Sequence, residues 1–364
     1  VGAASAAAAR PVRLQLLSIF QHAFFDRRLA SWQHLGDRRG PASHDRSVRR
    51  LTHDTRGSRG EPVPYHQHPL EGACNIMAID PHLVKAFGDV LRRHGVEVTK
   101  DTIEKIRETL GYVPRVGVLG KTGVGKSALF NALFGHDVAE VNDVSACTRA
   151  PQQALLDMQG DLAGVLLVDL PGLGESAERD VEYAALYRNL LPELDLVLWV
   201  VKADDRALAA DKAYYQTIVE PEIGRSATKF LVVVNQCDKL EPTDAWIRDE
   251  RRPGAEQLAN IEQKRSDVGA LFNLPTAEIC AASATRRWQL TELVDRMVLA
   301  LPEHARYGFV RGTREEHVSE SARQHGAKGA VTTLLKEIGL AVGMAAFAAL
   351  VAAIAARSAK RDGT

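Results

Sequence analysis

The spacing of apolar residues changes along the chain. Stretches with helical spacing predict helices, and short continuous apolar runs predict strands. Apolar residues recur at helical spacing from Pro81, and a second helix is predicted to end near Leu110. Five apolar runs then alternate with helical stretches. They predict strands at Arg115–Leu119, Ala163–Asp169, Leu196–Val201, Phe230–Asn235 and Glu278–Ala281. Such alternation is typical of an α/β fold with a mostly parallel sheet flanked by helices.

The amino-acid composition is that of a globular protein, and it does not indicate a function. The 364 residues include 46 basic and 46 acidic side chains, with 45% hydrophobic and 25% charged residues, as in soluble globular chains. No overall basic charge favours nucleic-acid binding. The four cysteines lie far apart, so neither a zinc site nor a disulfide framework is expected.

Residues 1–76 differ from the rest of the chain. They hold eleven Arg, no Lys and six acidic residues, and they begin with an Ala-rich run. Little packed structure is expected in this low-complexity or disordered segment. No Met precedes Met77, so one interpretation is a mis-assigned start of the reading frame. The alternatives are an amphipathic targeting or surface helix at residues 13–35 and an organelle transit peptide.

The first predicted strand ends in a phosphate-binding motif. The sequence Gly120-Lys-Thr-Gly-Val-Gly125-Lys126-Ser127 fits G-x-x-x-x-G-K-S/T and precedes a helix predicted at Ala128–Phe134. Glycines let successive backbone N–H groups surround a phosphate, and the helix N-terminus favours an anion. Lys126 is expected to reach the β- and γ-phosphates, and the Ser127 hydroxyl to ligate Mg²⁺.

A second motif indicates which base is bound. Asn235-Gln-Cys-Asp238 closes a predicted strand. A carboxylate at Asp238 can accept hydrogen bonds from N1–H and the 2-amino group of guanine, a donor pair that adenine lacks. Asn235 is expected to tie the surrounding loops together. The pair therefore favours guanine, and an ATPase is the weaker alternative.

The order of these motifs resembles that of the translation-factor-related P-loop GTPases, most closely their Era-like branch and its YfjP-type subgroup, over about residues 115–301. The resemblance implies a Ras-like G domain. It implies that Asp169, in the motif Asp169-Leu-Pro-Gly172, holds Mg²⁺ through a water molecule. It also implies that the Gly172 N–H contacts the γ-phosphate. It also implies a second-motif Thr, for which Thr148 is chosen over Ser145.

The fifth motif of that family is matched by Ser283-Ala284-Thr285, where the Ala284 N–H is expected to contact the guanine oxygen. The candidate catalytic residues are Lys126, Thr148 and Gly172, and the candidate metal ligands are Ser127, Thr148 and Asp169. The candidate nucleotide-binding residues are Gly120, Lys121, Thr122, Gly123, Val124, Gly125, Lys126, Ser127, Ala128, Asn235, Gln236, Asp238, Ser283 and Ala284.

Three departures from the family pattern bear on nucleotide binding, potassium activation and the rate of hydrolysis. Gln236 replaces the Lys of N-K-x-D, which predicts weaker nucleotide binding. Gly123 stands where many Era-like proteins carry an Asn that ligates potassium. Leu173 stands where Ras-type members place the Gln that orients the attacking water. Hydrolysis by this chain alone is therefore expected to be slow and to await a partner or a dimer.

The C-terminal region carries an uncharged segment of nineteen residues, Ile338–Ala356. As one helix it would rise about 28 Å, close to the thickness of a bilayer core. Its Ala-rich composition leaves three alternatives open: a membrane anchor, a helix packed on a partner or second copy, and an intramolecular core helix. Gly339 and Gly343 form a small-x-x-x-small pattern that would suit close helix contact.

A further pattern in the same region, Gly326-Ala-Lys-Gly329, is similar to the G-x-x-G loop of an RNA-binding KH domain. The polar, helix-like residues 311–324 before it argue against such a domain, and nucleic acid is not an expected partner. An RNA-associated assembly GTPase remains an alternative.

Four regions are predicted: the segment 1–76, a helical lead-in 77–112, a GTPase domain 113–302, and a helical region 303–364 that contains the hydrophobic segment 338–356. The predicted function is a GTP- and Mg²⁺-dependent switch whose loops 138–149 and 170–179 respond to the γ-phosphate. The alternative is a recruitment module with negligible turnover. The predicted location is the cytoplasm or the inner face of its membrane.

Overall fold

The computed structural model describes residues 79–135, 152–157, 164–169 and 186–358. The chain divides into two units, residues 1–63 and 64–364, and every described residue lies in the second. The segment 1–76 and its alternatives therefore lie outside the described residues.

A six-stranded sheet forms the centre of the described part. Its strands are β1 Arg115–Leu119, β2 Gln152–Asp157, β3 Gly164–Asp169, β4 Leu196–Lys202, β5 Lys229–Asn235 and β6 Ile279–Ala281. The strand order is β2-β3-β1-β4-β5-β6. All neighbouring pairs are parallel except β2 with β3. The predicted mostly parallel α/β sheet is thus confirmed, with the edge strand β2 added.

Helices flank this sheet. They are α1 Pro81–Arg93, α2 Lys100–Gly111, α3 Lys126–Phe134, α4 Ala209–Tyr214, α5 Glu220–Ile223, α6 Ala255–Phe272, α7 Leu290–Ala300, α8 Glu303–Gly312, α9 Glu320–Glu337 and α10 Met344–Ser358. Residues 186–190 are also helical. The π-helical turn Tyr215–Val219 joins α4 to α5, and short 3-10 turns include Cys237–Lys239 and Glu315–His317.

The central strands are apolar on both faces because helices cover both. In β4, Leu198 and Val200 belong to one hydrophobic cluster, while Val197 and Trp199 belong to the cluster on the opposite face. All four are at most 1% exposed. This buried sheet gives a rigid edge from which the loops after its strands project.

A third hydrophobic cluster joins the predicted lead-in to the C-terminal helices. It includes Phe87 of α1, Ile106 of α2, Leu334 of α9, and Leu350 and Ile354 of α10. Each of these side chains is at most 1% exposed. The described parts of the regions 77–112 and 303–364 therefore share one core.

The predicted continuous helix over 338–356 is wrong. α9 ends at Glu337, Gly339 adopts a left-handed φ of 64°, and α10 begins only at Met344. A left-handed glycine commonly ends a helix. Gly339 and Gly343 therefore do not form a helix contact motif. In the described part of the chain, no helix has both the length and the apolar character needed to span a bilayer.

The G-x-x-G pattern is not a KH loop, because Gly326 and Gly329 lie inside α9. A Cβ on Gly329 would come within 2.5 Å of the backbone oxygen of Glu303 in α8, and one on Gly326 within 3.1 Å of a Val310 methyl. The two glycines let α8 and α9 approach closely. The polar stretch before them is not one helix either, since α8 ends at Gly312 and a 3-10 turn follows.

Candidate active site

The candidate site lies at the carboxyl edge of the sheet, where parallel strands place their following loops together. The glycine-rich loop follows β1, Asp169 ends β3, Asn235 ends β5, and Ser283 follows β6. The β1–β3 register pairs Val118 with Asp169, so the Asp169 backbone lies beside the strand that leads into the glycine-rich loop.

The glycines of the loop are required by its conformation. Gly120 has φ 142°, and a Cβ there would lie 2.3 Å from the Val200 oxygen of β4. Gly125 has φ 88°, and a Cβ would lie 2.7 Å from Nδ2 of Asn235. Gly123 also adopts a left-handed φ of 82°. The backbone at these positions is therefore closed to most other residues.

Lys126 and Ser127 are the first residues of α3, and Ala128 follows them. Lys126 Nζ donates to the Gly120 oxygen at 2.9 Å, so its side chain curls back over the loop. The first N–H groups of a helix lack intrahelical acceptors and attract anions. Thr122 and Ala128 are exposed, whereas Val124 is buried. The arrangement suits a bound phosphate.

The Lys121 side chain contacts two aspartates that follow β4. Its Nζ lies 2.6 Å from Asp211 Oδ2 and 3.3 Å from Asp205 Oδ2, and it donates to the Ala207 oxygen at 2.8 Å. Burial lowers the pKa of Lys121, but the hydrogen bonds and charges of the two aspartates outweigh it and raise the pKa. Lys121 therefore anchors the loop to the segment after β4. The motif alone gave no sign of these partners.

Asn235 is the centre of the site and is fully buried. Its Nδ2 donates to the Val124 oxygen at 3.0 Å and to the Gly125 oxygen at 3.3 Å. Its Oδ1 accepts from the Ala284 N–H at 3.2 Å. The side chain thus joins the glycine-rich loop to the loop after β6. The Ala284 N–H, expected on the base, is donated to Asn235 in this structure.

Asp238 faces the same loop after β6. Ser283 Oγ donates to Asp238 Oδ1 at 2.5 Å, and Arg286 Nε lies 3.7 Å from Oδ2. The Asp238 side chain is 10% exposed. Gln236 donates from Nε2 to the Gly123 oxygen at 2.9 Å. Arg286 was not identified from the sequence, because nothing in its spacing marks it.

The remaining predicted residues are not all placed. Thr148, its competitor Ser145, and Gly172 lie outside the described residues, and for Asp169 the backbone alone is described. The structure brings together the glycine-rich loop, Asn235, Gln236, Asp238, Ser283 and Ala284. The assignment of roles to these residues stays a prediction.

Comparison with known proteins decides the family. The family profile described as "50S ribosome-binding GTPase" matches residues 115–236. The chain is 44% identical over 222 residues to YkfA of Escherichia coli, covering 61% of this chain and 74% of YkfA. YfjP of the same organism is 42% identical over 208 residues, covering 57% and 69%. This chain is an Era-like P-loop GTPase of the YfjP type.

More distant similarity extends to Era itself. GTPase Era of Aquifex aeolicus is 26% identical over 197 residues, covering 53% of this chain and 58% of Era. A crystal structure of that Era bound to GDP·AlF4− is 24% identical with a TM-score of 0.39, covering 56% of this chain and 69% of that one. Family membership confirms the predicted enzyme class of this GTPase and guanine nucleotide as what it binds.

Proposed function

We propose that this GTPase is a magnesium-dependent switch that hydrolyses GTP slowly and reports its nucleotide state through the loops 138–149 and 170–179. The observation that supports the proposal most is the buried Asn235 amide. It holds the phosphate loop and the loop after β6 in one arrangement, with Asp238 beside them. A nucleotide that spans the two loops engages its phosphates and its base at once.

The phosphates bind at the N-terminus of α3. Lys126 Nζ donates to the Gly120 carbonyl at 2.9 Å, and phosphate oxygens offer this ammonium negatively charged acceptors. The attraction between the ammonium and the phosphate charge favours the bound state. The backbone N–H groups of Ser127 and Ala128 add donors at the same end of the helix.

The base binds at Asp238. Its carboxylate is held by Ser283 and faces Arg286 in this structure. Guanine offers two adjacent N–H donors to a carboxylate, and adenine does not. Asp238 therefore selects guanine, while Ser283 keeps the carboxylate in place.

The residues present fit a magnesium ion. Mg²⁺ prefers oxygen ligands and commonly takes one or two from the protein and others from phosphate and water. Ser127 supplies a hydroxyl at the start of α3, and Asp169 ends the strand beside β1. Thr148 is the third proposed ligand. A magnesium ion held by these residues would help to neutralise the negative charge of the nucleotide phosphates.

Slow turnover follows from Leu173, which cannot orient or polarise a water molecule. We expect a rate on the order of 10⁻⁴ to 10⁻² s⁻¹ for the chain alone, as in G domains that lack their activating partner. Residues 338–356 do not support the predicted membrane and dimer partners, because Leu350 and Ile354 are buried within the chain itself.

Single-turnover phosphate release from Mg·GTP tests the proposal on the full chain. We expect slow release from the wild type and neither binding nor release from Lys126→Ala. Lys328→Ala, which changes an exposed lysine on α9, is the matched control and is expected to behave as the wild type. Near-normal GTP affinity in Lys126→Ala would refute the site. Tight binding with no release would instead favour a recruitment module.

A further inference from the structure

A chain of hydrogen bonds links an exposed lysine to the phosphate loop. Lys239 Nζ donates to Gln236 Oε1 at 2.7 Å, and Gln236 Nε2 donates to the Gly123 oxygen at 2.9 Å. Lys239 lies on the surface, whereas Gln236 is 9% exposed. The charge at the surface is thus connected to a loop carbonyl through one amide.

The backbone brings these two side chains together. Gln236 adopts a left-handed φ of 60° and caps the 3-10 turn Cys237–Lys239. The Lys239 N–H donates to the Gln236 carbonyl at 2.9 Å and closes this turn. In a 3-10 turn, side chains three residues apart lie above one another. Lys239 is therefore held over the Gln236 amide.

The chemistry of the partners fixes which way the amide faces. A glutamine amide has an acceptor end and a donor end of nearly equal size, whereas an ammonium can only donate and a backbone carbonyl can only accept. Lys239 therefore selects Oε1, which leaves Nε2 for Gly123. A charged donor on Oε1 also polarises the amide and strengthens its N–H bond.

Gly123 lies next to the two loop residues that Asn235 holds but receives no hydrogen bond from Asn235 itself. Asn235 binds the carbonyls of Val124 and Gly125. Gly123 is exposed and has a left-handed φ of 82°, and among the described residues no atom lies within 4 Å of where its Cβ would stand. Its conformation is not enforced by packing. Within the described part of the chain, the hydrogen bond from the Gln236 amide restrains the Gly123 carbonyl.

We propose that Lys239 is a positioning residue for nucleotide binding, which orients the Gln236 amide against Gly123 and so keeps the phosphate loop in its binding conformation. The inference rests on the proposed function, because the affected property is affinity for guanine nucleotide. Gln236 stands where the related GTPases carry the Lys of N-K-x-D. In this chain, Gln236 supplies the hydrogen-bond donor to the loop, and Lys239 supplies the positive charge.

A double-mutant cycle on the full chain tests the proposal. The variants are Lys239→Met, Gln236→Lys and their combination, and the measurement is the affinity for fluorescently labelled GDP. Lys239→Met keeps the stem and removes the donor, and we expect it to weaken GDP binding about five- to tenfold. In the Gln236→Lys background the residue at position 236 is itself charged. There, loss of Lys239 is expected to change affinity less than about twofold.

Two further variants separate positioning from a merely structural role. Lys239→Arg retains a charged donor and is expected to restore most of the affinity. Lys328→Met is the matched control, an exposed lysine on α9, and is expected to bind GDP as the wild type does. Because Lys239 is exposed, the thermal midpoint of the nucleotide-free protein is expected to stay unchanged in Lys239→Met.

Two results would overturn the inference while leaving the proposed function in place. One is a Lys239→Met variant that binds GDP like the wild type. The other is an equal loss in the wild-type and Gln236→Lys backgrounds, which would mean that Lys239 acts independently of Gln236. A wild-type chain that binds no GDP would overturn the proposed function as well.

Discussion

Replacing Asn235 by Ala removes the hydrogen bonds that join the two loops of the site. The amide donates to the carbonyls of Val124 and Gly125 and accepts from the Ala284 N–H. The Gly125 carbonyl keeps a second partner, since the Leu129 N–H donates to it at 3.0 Å. The Ala284 N–H loses the acceptor that Asn235 provides.

The expected cost combines lost bonds with an uncompensated buried donor. A typical intramolecular hydrogen bond contributes about 1 kcal/mol net, and a buried unsatisfied group costs about 1–3 kcal/mol. Asn235 is 0% exposed, so solvent does not replace its bonds. We expect the free energy of unfolding of the nucleotide-free protein to fall by about 2–4 kcal/mol.

Urea denaturation followed by tryptophan fluorescence measures this change. The matched control is Asn260→Ala, because the Asn260 amide donates to the Glu241 carbonyl at an exposed position and its loss is expected to cost under about 1 kcal/mol. Nucleotide affinity is expected to fall at least about tenfold in Asn235→Ala alone. A stability loss equal to that of the control would refute the claim that this amide holds the site together.

Three other predictions concern the remainder of the described chain. Gly329→Ala places a Cβ 2.5 Å from a backbone oxygen of α8 and is expected to lower the thermal midpoint. Gly343→Ala, where no described atom lies within 4 Å of the new Cβ, is expected to leave the midpoint unchanged, and equal midpoints would contradict the close α8–α9 contact. Leu350→Ala, at a fully buried position, is expected to cost about 2–5 kcal/mol in chemical denaturation, and a cost below about 1 kcal/mol would place Leu350 outside the core. Burial raises the pKa of the Cys237 thiol to about 12 and that of Cys280 to about 11, so both stay protonated at pH 9. Peptide mass spectrometry is expected to find both alkylated only after unfolding, and rapid labelling of the native protein would show that they are accessible.

The sequence predicted the sheet and the loops at its carboxyl edge because both depend on local patterns. Gly120 and Gly125 are demanded by backbone conformation, and Asn235 and Asp238 follow directly from the end of a strand. The conformation and packing of residues 338–356 could not be predicted from local patterns. Apolar periodicity is the same for a helix that faces lipid and for one that faces its own chain, and the break at Gly339 depends on a single left-handed residue.

Contacts between segments that are distant in the sequence could not be predicted from it either. Lys121 binds Asp205 and Asp211, which lie more than eighty residues away in the sequence. The roles of Gly326 and Gly329 depend on α8, which no spacing rule connects to α9. Such partners are set by tertiary packing, so a motif identifies the loop but not what anchors it.

The measurement that tests the central claim most directly is the base preference of Asp238→Asn. A carboxylate at this position accepts from the N1–H and 2-amino groups of guanine, whereas a carboxamide can donate to the oxygen that replaces the 2-amino group in xanthine. Affinities for GTP and xanthosine triphosphate are measured in the wild type, in Asp238→Asn, and in the exposed control Asp244→Asn. We expect Asp238→Asn to lose at least about tenfold for GTP and to gain for xanthosine triphosphate, with the control unchanged. An unaltered preference in Asp238→Asn would show that another residue reads the base and would contradict the proposed site.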